Sequence, residues 1–184
     1  ALSDLMREGK IRQIGLSNES SWGVMTFLHA SGQRNQPRVQ SLQNASSLLN
    51  RTFETNLAEI AMREQVGPLA YSPLAQGFLT GKYQNGAQPA GARRTLFNRQ
   101  QRYETPGAAP AIDKYVAFAK EIGADPAQLA LQFVTTRPFV TATIIGATNM
   151  DQLAANIGSI GLSWSAEIER RLNDIHLIHT NPCP

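Results

Sequence analysis

Thr143-Ile-Ile-Gly-Ala-Thr-Asn-Met-Asp-Gln-Leu-Ala-Ala-Asn-Ile157 is the stretch on which the fold turns. Residues 140–145 are rich in β-branched side chains and bounded by Pro138 and Gly146, the pattern of a short buried strand. Met150, Leu153, Ala154 and Ile157 then recur at helical spacing. A strand, a glycine turn and a helix in that order aim the helix's free N–H groups and positive dipole end beyond the strand, which makes a ready anion site. Taken alone, the stretch also reads as an ordinary strand-to-helix joint.

The same alternation runs upstream. Residues 11–17 read as a strand, with Asn18, Glu19 and Ser20 as capping residues for a helix over 20–30 that carries Trp22, Val24, Met25, Phe27 and Leu28. Residues 39–43 read as a second strand, with Val39, Ser41 and Gln43 on one face and Gln40 and Leu42 on the other. Thr52 is expected to cap a helix that buries Phe53, Leu57, Ile60 and Ala61. Residues 67–72 are a third strand. Residues 73–110 form a long connection rich in glycine and proline, of the kind that is functional or disordered. A helix over 112–122 follows, with Tyr115, Val116 and Ala119 inward and Gly123 as its cap. Asp125, Pro126 and Gln128 then predict an N-cap, a first helical residue and a capping box. The fourth strand and its helix are the opening stretch, and a last helix spans 165–175.

Four strands alternating with helices predict parallel pairing through right-handed crossovers. Four cannot close a (β/α)8 barrel, which takes about 250 residues. The 184 residues are therefore either a small open α/β sheet or half of a barrel with two raw edges. Residues 1–10 look like the later part of a helix ending at Gly9, with Leu2, Leu5 and Met6 as its apolar stripe, so a fragment is expected.

Composition narrows the function classes. Charged residues make up 17% and the net charge is +3, which excludes a disordered or coiled-coil chain and argues against a nucleic-acid partner. Arg93-Arg94 is the longest basic cluster. Cys183 is the single cysteine, so no internal disulfide forms and a reducing, cytoplasmic setting is expected. No apolar run is long enough to span a membrane, and no signal peptide is read at the start.

Four motifs carry a resemblance. Gly9-Lys-Ile-Arg-Gln-Ile-Gly-Leu-Ser-Asn18 is the first, and Gln43 through Ser47-Leu-Leu-Asn-Arg51 the second. Ala70-Tyr-Ser-Pro-Leu-Ala75 with Gly77, Leu79 and Lys82 is the third, and Ile145-Gly-Ala-Thr148 with Gln152 and Asn156 the fourth. In order and spacing they resemble the aldo-keto reductases over nearly the whole chain, and in particular the branch of Tas-like proteins and potassium-channel β subunits. The resemblance implies a (β/α)8 barrel, with residues 1–184 its C-terminal half, supplying strands five to eight. It implies an NADP(H)-dependent reductase of small aldehyde or ketone substrates, its N-terminal half-barrel present as a separate or cleaved chain, or replaced by a second copy.

Residue by residue, the resemblance implies that Ser17, Asn18 and Gln43 hydrogen-bond the nicotinamide carboxamide, whose two ends need a donor and an acceptor. Helix capping is the other reading of Ser17 and Asn18. Tyr71 matches the aromatic that stacks on the nicotinamide ring; as a lone strand-end tyrosine it also reads as core or rim. Ser72, Pro73, Leu74, Ala75, Gln76 and Lys82 match the segment lining the pyrophosphate. Arg94 is the basic residue that the long connection brings to the phosphates, with Arg93 and Arg99 as alternatives. Gly146, Thr148, Gln152 and Asn156 match the adenosine end and receive the 2′-phosphate. Ala155 stands where some relatives place a glutamate against the adenine, and residues 148–152 carry no cation, which leaves NADP against NAD open.

The family's proton-donating tyrosine and its lysine, aspartate and histidine lie on its first four strands, and this chain matches none of them. No catalytic or metal-ligating residue is expected here, and His29, His176 and His179 read as structural or surface. The chain alone is expected to be inactive. A non-catalytic NADP(H)-binding regulator and a half-barrel that pairs with itself are the competing readings.

Overall fold

The computed structural model describes residues 1–34, 36–97 and 101–183. Strands β1 (Ile14–Ser17), β2 (Val39–Ala45), β3 (Gly67–Tyr71) and β4 (Ala142–Thr143) form one parallel sheet in the order β1-β2-β3-β4. Helix α1 (Leu2–Arg7) precedes β1, α2 (Ser21–Gln33) joins β1 to β2, and α3 (Leu57–Glu64) joins β2 to β3. Between β3 and β4 lie α4 (Arg93–Phe97), α5 (Ala108–Glu121) and α6 (Pro126–Thr135). Helices α7 (Met150–Gly158) and α8 (Ala166–Ile178) follow β4. The α/β alternation and parallel pairing expected from the sequence are both present.

The two faces of the sheet differ. Ser17, Gln43, Leu69 and Ala142 stand in one row across all four strands, and three of the four are exposed. The opposite face carries Leu42 and Ala70, both buried. One face is thus covered and the other open, and β1 and β4 are free edges among the described residues. Parallel sheets are normally covered on both faces, so the open face is the unusual one.

Tertiary contacts move several boundaries. The first strand begins at Ile14 rather than Ile11, and β4 is only two residues long because it pairs with β3 alone at its edge. The third strand stops at Tyr71, since Ser72 turns to φ 56. Val39 and Leu42 join one apolar cluster instead of opposite faces. The cause is a register shift that sets Ile14 opposite Val39 but Gly15 opposite Ser41, which breaks the two-residue period. A Cβ at Gly15 would lie 2.3 Å from Ser41 Oγ and 3.1 Å from Ser41 O, so a larger residue there would force Ser41 to shift.

Thr52 does not cap α3. It sits inside a separate helical turn, Thr52–Glu54, where its hydroxyl donates to Asn50 Oδ1 at 2.7 Å; Asn56 is the residue before α3. Helix α5 starts at Ala108, earlier than expected, because Pro110 is tolerated in a first turn. Asp125 caps α6 as expected, accepting from the Ala127 and Gln128 amides. Gln128 completes no capping box, its amide donating instead to Ala155 O at 3.1 Å and holding α7 to α6. On α7 the expected apolar stripe is largely exposed, with Met150 at 73% and Ile157 at 55%, and Asn156 is the buried residue. Helix α8 runs three residues past Ile175, so His176 lies in its last turn rather than in a tail. Leu2 is half exposed, so the stripe on α1 is not a core face among the described residues.

The core has two apolar clusters. Val24, Leu28, Val39, Leu42, Phe53 and Phe139 form the smaller, under α2 and α3. The larger joins α5, α6 and α8 to residues 73–110 through Phe78, Leu79, Tyr103, Tyr115, Phe133 and Leu172. The long connection is therefore a folded part of the core, each of its large buried side chains contributing about 1.5–3 kcal/mol. The last residues belong to it as well. Cys183 is fully buried, its amide donating to Leu49 O at 3.3 Å. Asn181 Oδ1 accepts from the Arg51 amide at 2.7 Å, and Pro182 O accepts from Thr105 Oγ1 at 2.5 Å.

Candidate functional site

The C-terminal ends of β1, β2 and β3 are drawn into one cluster. Asn18 follows β1 in the left-handed region at φ 54, which asparagine tolerates, and its amide donates to Gln43 O at 3.0 Å. Its side chain donates to Ser17 Oγ at 3.3 Å and accepts from the Tyr71 hydroxyl at 2.8 Å. The cap of α2 is Ser20, which accepts from the Gly23 amide at 3.1 Å. Ser17 and Asn18 are thereby free of capping duty. Gln43 is exposed on the open face, and its amide has no partner among the described residues.

The segment after β3 is tightly folded. Ser72, Ala75, Gln76 and Gly77 all have positive φ, at 56, 48, 55 and 97 degrees. Three of these are not glycine, and such conformations cost about 1–3 kcal/mol each and gather at binding sites. Pro73 and Ala75 are buried, so they offer a ligand backbone only; Leu74 packs on the core. Lys82 lies back over this turn: a Cβ on Gly77 would meet Lys82 Cε at 2.9 Å and Nζ at 3.0 Å. Its ammonium is otherwise exposed, 5.2 Å from the Tyr83 ring centroid.

Arg94 is placed differently from Lys82. It pairs with Glu104 at 2.6 Å over the rings of Phe78 and Tyr83, lining a cleft of about 420 Å3 apart from Tyr71. Its charge is already matched by a carboxylate. Arg93 is exposed on α4, and Arg99 lies outside the described residues.

Gly146, Thr148, Gln152 and Asn156 form one hydrogen-bonded turn. Gln152 Oε1 accepts from Thr148 N at 3.0 Å and from Thr148 Oγ1 at 3.1 Å, and Asn156 Nδ2 donates to Gly146 O at 3.3 Å. Asn149 caps α7 by accepting from the Gln152 amide at 2.9 Å. This turn follows directly from the strand beside β3, where Ile144 N donates to Ala70 O at 2.8 Å. Asp151 is in the first turn of α7, so the dipole there already has a negative partner.

A second feature borders the first cluster. A cleft of about 600 Å3 opens beside Tyr71, over the starts of α2 and α3. Asn44, Asn50, Asn56 and Arg102 line it; Asn44 and Asn50 lie within the second motif without a role assigned to them, and Asn56 and Arg102 did not stand out in the sequence. Arg102 was one arginine among several on the long connection; only its contact with Tyr71, Nη1 to the hydroxyl at 3.5 Å, distinguishes it. That contact raises the pKa of the guanidinium and outweighs its slight burial. Burial likewise pushes the Tyr103 hydroxyl above its ordinary 10.0, against the pull of Ser72 and Arg102. Asn44 Oδ1 is buried there without a partner among the described residues. Among the described residues, no His, Cys, Asp and Glu side chains gather as they would around a metal ion, and no helix is long and apolar enough to cross a membrane.

The profile of the Aldo/keto reductase family matches residues 1–175. The chain belongs to the aldo/keto reductase family. Within this family it is 50% identical over 184 residues to "Protein tas" of Escherichia coli, covering 100% of this chain and 53% of that protein. To "Aldo-keto reductase" of Babesia bovis it is 37% identical over 96% of this chain and 65% of the relative. To "Putative voltage-gated potassium channel subunit beta" of Schizosaccharomyces pombe it is 29% identical over 95% of this chain and 53% of the relative. The chain spans about half the length of the first curated relatives it matches. The branch of the aldo/keto reductases expected from the four motifs is the one these relatives occupy.

Proposed function

We propose that the whole protein is an NADP(H)-dependent carbonyl reductase, and that this chain supplies strands five to eight of its (β/α)8 barrel. The observation that carries the reading is the convergence of Ser17, Asn18, Gln43 and Tyr71 at the ends of three adjacent strands, beside an open sheet face. An N-terminal half-barrel closes the two free edges and brings the proton donor.

The residues present fit most of such a cofactor. The unengaged amide of Gln43 and the remaining N–H of Asn18 offer an acceptor and donors to a carboxamide. Lys82 over the turn at Gly77 gives an exposed cation for a pyrophosphate, and the close backbone at Gly77 leaves room for it. The turn before α7 gives backbone donors but no cation to a 2′-phosphate, so discrimination between NADP and NAD is small. The bound cofactor supplies the hydride. Tyr71 fixes which ring face is presented, its hydroxyl tied to Asn18. Asn18, Ser17 and Gln43 hold the carboxamide in plane. The proton to the carbonyl oxygen comes from outside this chain.

Equilibrium dialysis of NADPH against the protein and its Tyr71→Ala variant tests the reading. Loss of stacking weakens binding about tenfold. Affinity unchanged by the substitution would remove the site from the sheet end. Aldehyde-dependent NADPH oxidation by the 184-residue chain alone would refute the division between two halves.

A further inference from the structure

The C-terminal residues are fastened to a part of the molecule that the proposed function uses. After α8, residues 179–183 run as a strap with three anchors. Asn181 Oδ1 accepts from the Arg51 amide at 2.7 Å, Pro182 O from Thr105 Oγ1 at 2.5 Å, and Leu49 O from the amide of buried Cys183 at 3.3 Å. Pro182 also lies close over Gly107, where a Cβ would meet Pro182 Cβ at 3.3 Å. Just upstream of Thr105, Tyr103 is 2% exposed. Its ring packs against Phe78 at 6.0 Å between centroids, and its hydroxyl bonds with the Ser72 side chain. Ser72 and Phe78 bracket the positive-φ turn that follows β3. The strap thus reaches that turn through Thr105 and Tyr103.

The other end of the strap starts at an unmatched imidazole. Thr180 Oγ1 donates to His176 O at 3.0 Å, tying the two together. His176 is half-buried, and its Nδ1 is buried without a partner among the described residues. Arg51 and Glu54 act on the ring from the turn after β2. Glu54 is already taken by Arg51, which donates to it at 2.7, 2.9 and 3.0 Å and to Asn173 Oδ1 at 2.8 Å. Tyr115 on α5 borders the same pair, and Glu169 on α8 borders Arg51 but is held by Arg137. His179 and Cys183 are the titratable groups of the strap itself. A proton on His176 puts a second cation beside Arg51, with no uncommitted carboxylate among these groups. A buried charge without a partner is strongly disfavoured. Either His176 moves out, drawing Thr180 and the strap with it, or Glu54 leaves Arg51. Both loosen the anchor at Arg51.

Resting on the reading of residues 72–77 as part of the cofactor site, we propose that the strap is a latch that holds this turn in its binding shape, and that protonation of His176 opens it. Burial first and Arg51 second keep the pKa of the ring below 6.5, so the latch is shut at neutral pH and opens on acidification. His176 and Thr105 act through the turn and are positioning residues.

The test is hydrogen exchange over residues 70–79, 101–107 and 179–183, corrected for its intrinsic pH dependence, together with calorimetry of NADP+ binding. Both are run on the whole protein at about pH 7.5 and about pH 5.5. In the native protein, acid should lower protection of the strap and of the turn about tenfold and weaken NADP+ binding to a similar extent. His176→Gln, which cannot take up the proton, should keep both at their neutral-pH values. Thr105→Val guards against a His176 variant that does not fold: it should loosen the turn and weaken NADP+ binding at both pH values. Strap protection that ignores pH, or an acid loss that persists in His176→Gln, would overturn the proposal. So would a strap that opens while the turn and the NADP+ affinity stay as they were, or a turn left unchanged by Thr105→Val. If NADP+ binds at neither pH, the cofactor reading fails, and exchange over residues 70–79 decides the latch. Loosening in step with the strap upholds it, and indifference to the strap removes it.

Discussion

The Tyr71 hydroxyl donates to Asn18 Oδ1 at 2.8 Å across 53 positions of sequence, joining the ends of β1 and β3 over the end of β2 that lies between them. This bond fixes one edge of the ring that carries the proposed function. Tyr71→Phe keeps the ring and loses the tie. We expect it to cost about 1 kcal/mol in urea denaturation and to weaken NADPH binding less than Tyr71→Ala does. An equal loss of affinity in the two variants would move the role from the ring to the hydroxyl.

Gly77 has φ 97 and supports Lys82. Gly77→Ala strains the backbone, and we expect a loss of about 1–3 kcal/mol together with weaker cofactor binding. The Lys82 side chain has a flexible end and can move aside, so the backbone term dominates. Lys82→Met separates the effects: it should weaken NADPH binding and make it less sensitive to salt, with the denaturation midpoint unchanged. A midpoint lowered as far as in Gly77→Ala would show Lys82 to be structural.

Glu169 accepts from Arg137 and from Trp164 Nε1, and these bonds, led by that to Arg137, hold its carboxyl below the ordinary 4.5. A lowered carboxylate contributes stability that is present above the unfolded value and lost as pH falls through the folded one. Stability against denaturation should therefore fall on acidification below pH 4.5, and Arg137→Met should flatten that slope while costing about 1.5–3 kcal/mol near neutral pH. An unchanged acid slope in Arg137→Met would count against this account.

His176 sits in the last turn of α8 with Nδ1 buried and without a partner among the described residues, and burial, aided by Arg51, lowers its pKa from 6.5. The folded state then prefers the neutral ring. Stability is complete above pH 6.5 and declines as pH falls from there through the folded value. His176→Leu should remove the dependence in that window, read as the urea midpoint against pH. A midpoint that still falls there in the variant would assign the titration to another group.

How far the sequence carries can be judged from particular residues. Asp125, Gly123 and Ser20 were legible because a cap is a local hydrogen bond or a local positive φ. The four parallel strands were legible from their apolar runs and turn punctuation. Ser17, Asn18, Gln43 and Tyr71 stood out through family motifs, and they do meet at the strand ends. Thr52 misled because its hydroxyl found Asn50 instead of a helix amide. The faces of β2 were misread because the register shift opposite Gly15 depends on the neighbouring strand. The stripe on α7 was misread because periodicity says that a helix has an apolar side, not that something in this chain covers it. Arg102 was invisible for a related reason: its significance is a contact with a residue 31 positions away.

The fastening of Asn181 to the Arg51 amide bears on the order in which the molecule assembles. Its partners are 130 positions apart, and the neighbouring Cys183 completes the same fastening at Leu49. A contact of such long range closes a large loop and is entropically disfavoured until most of the chain is in place. The segment carrying Asn50 is therefore among the last parts to be locked, after the sheet beneath it. Loosening that lock, as in Asn181→Ala, should leave the refolding rate nearly unchanged and speed unfolding.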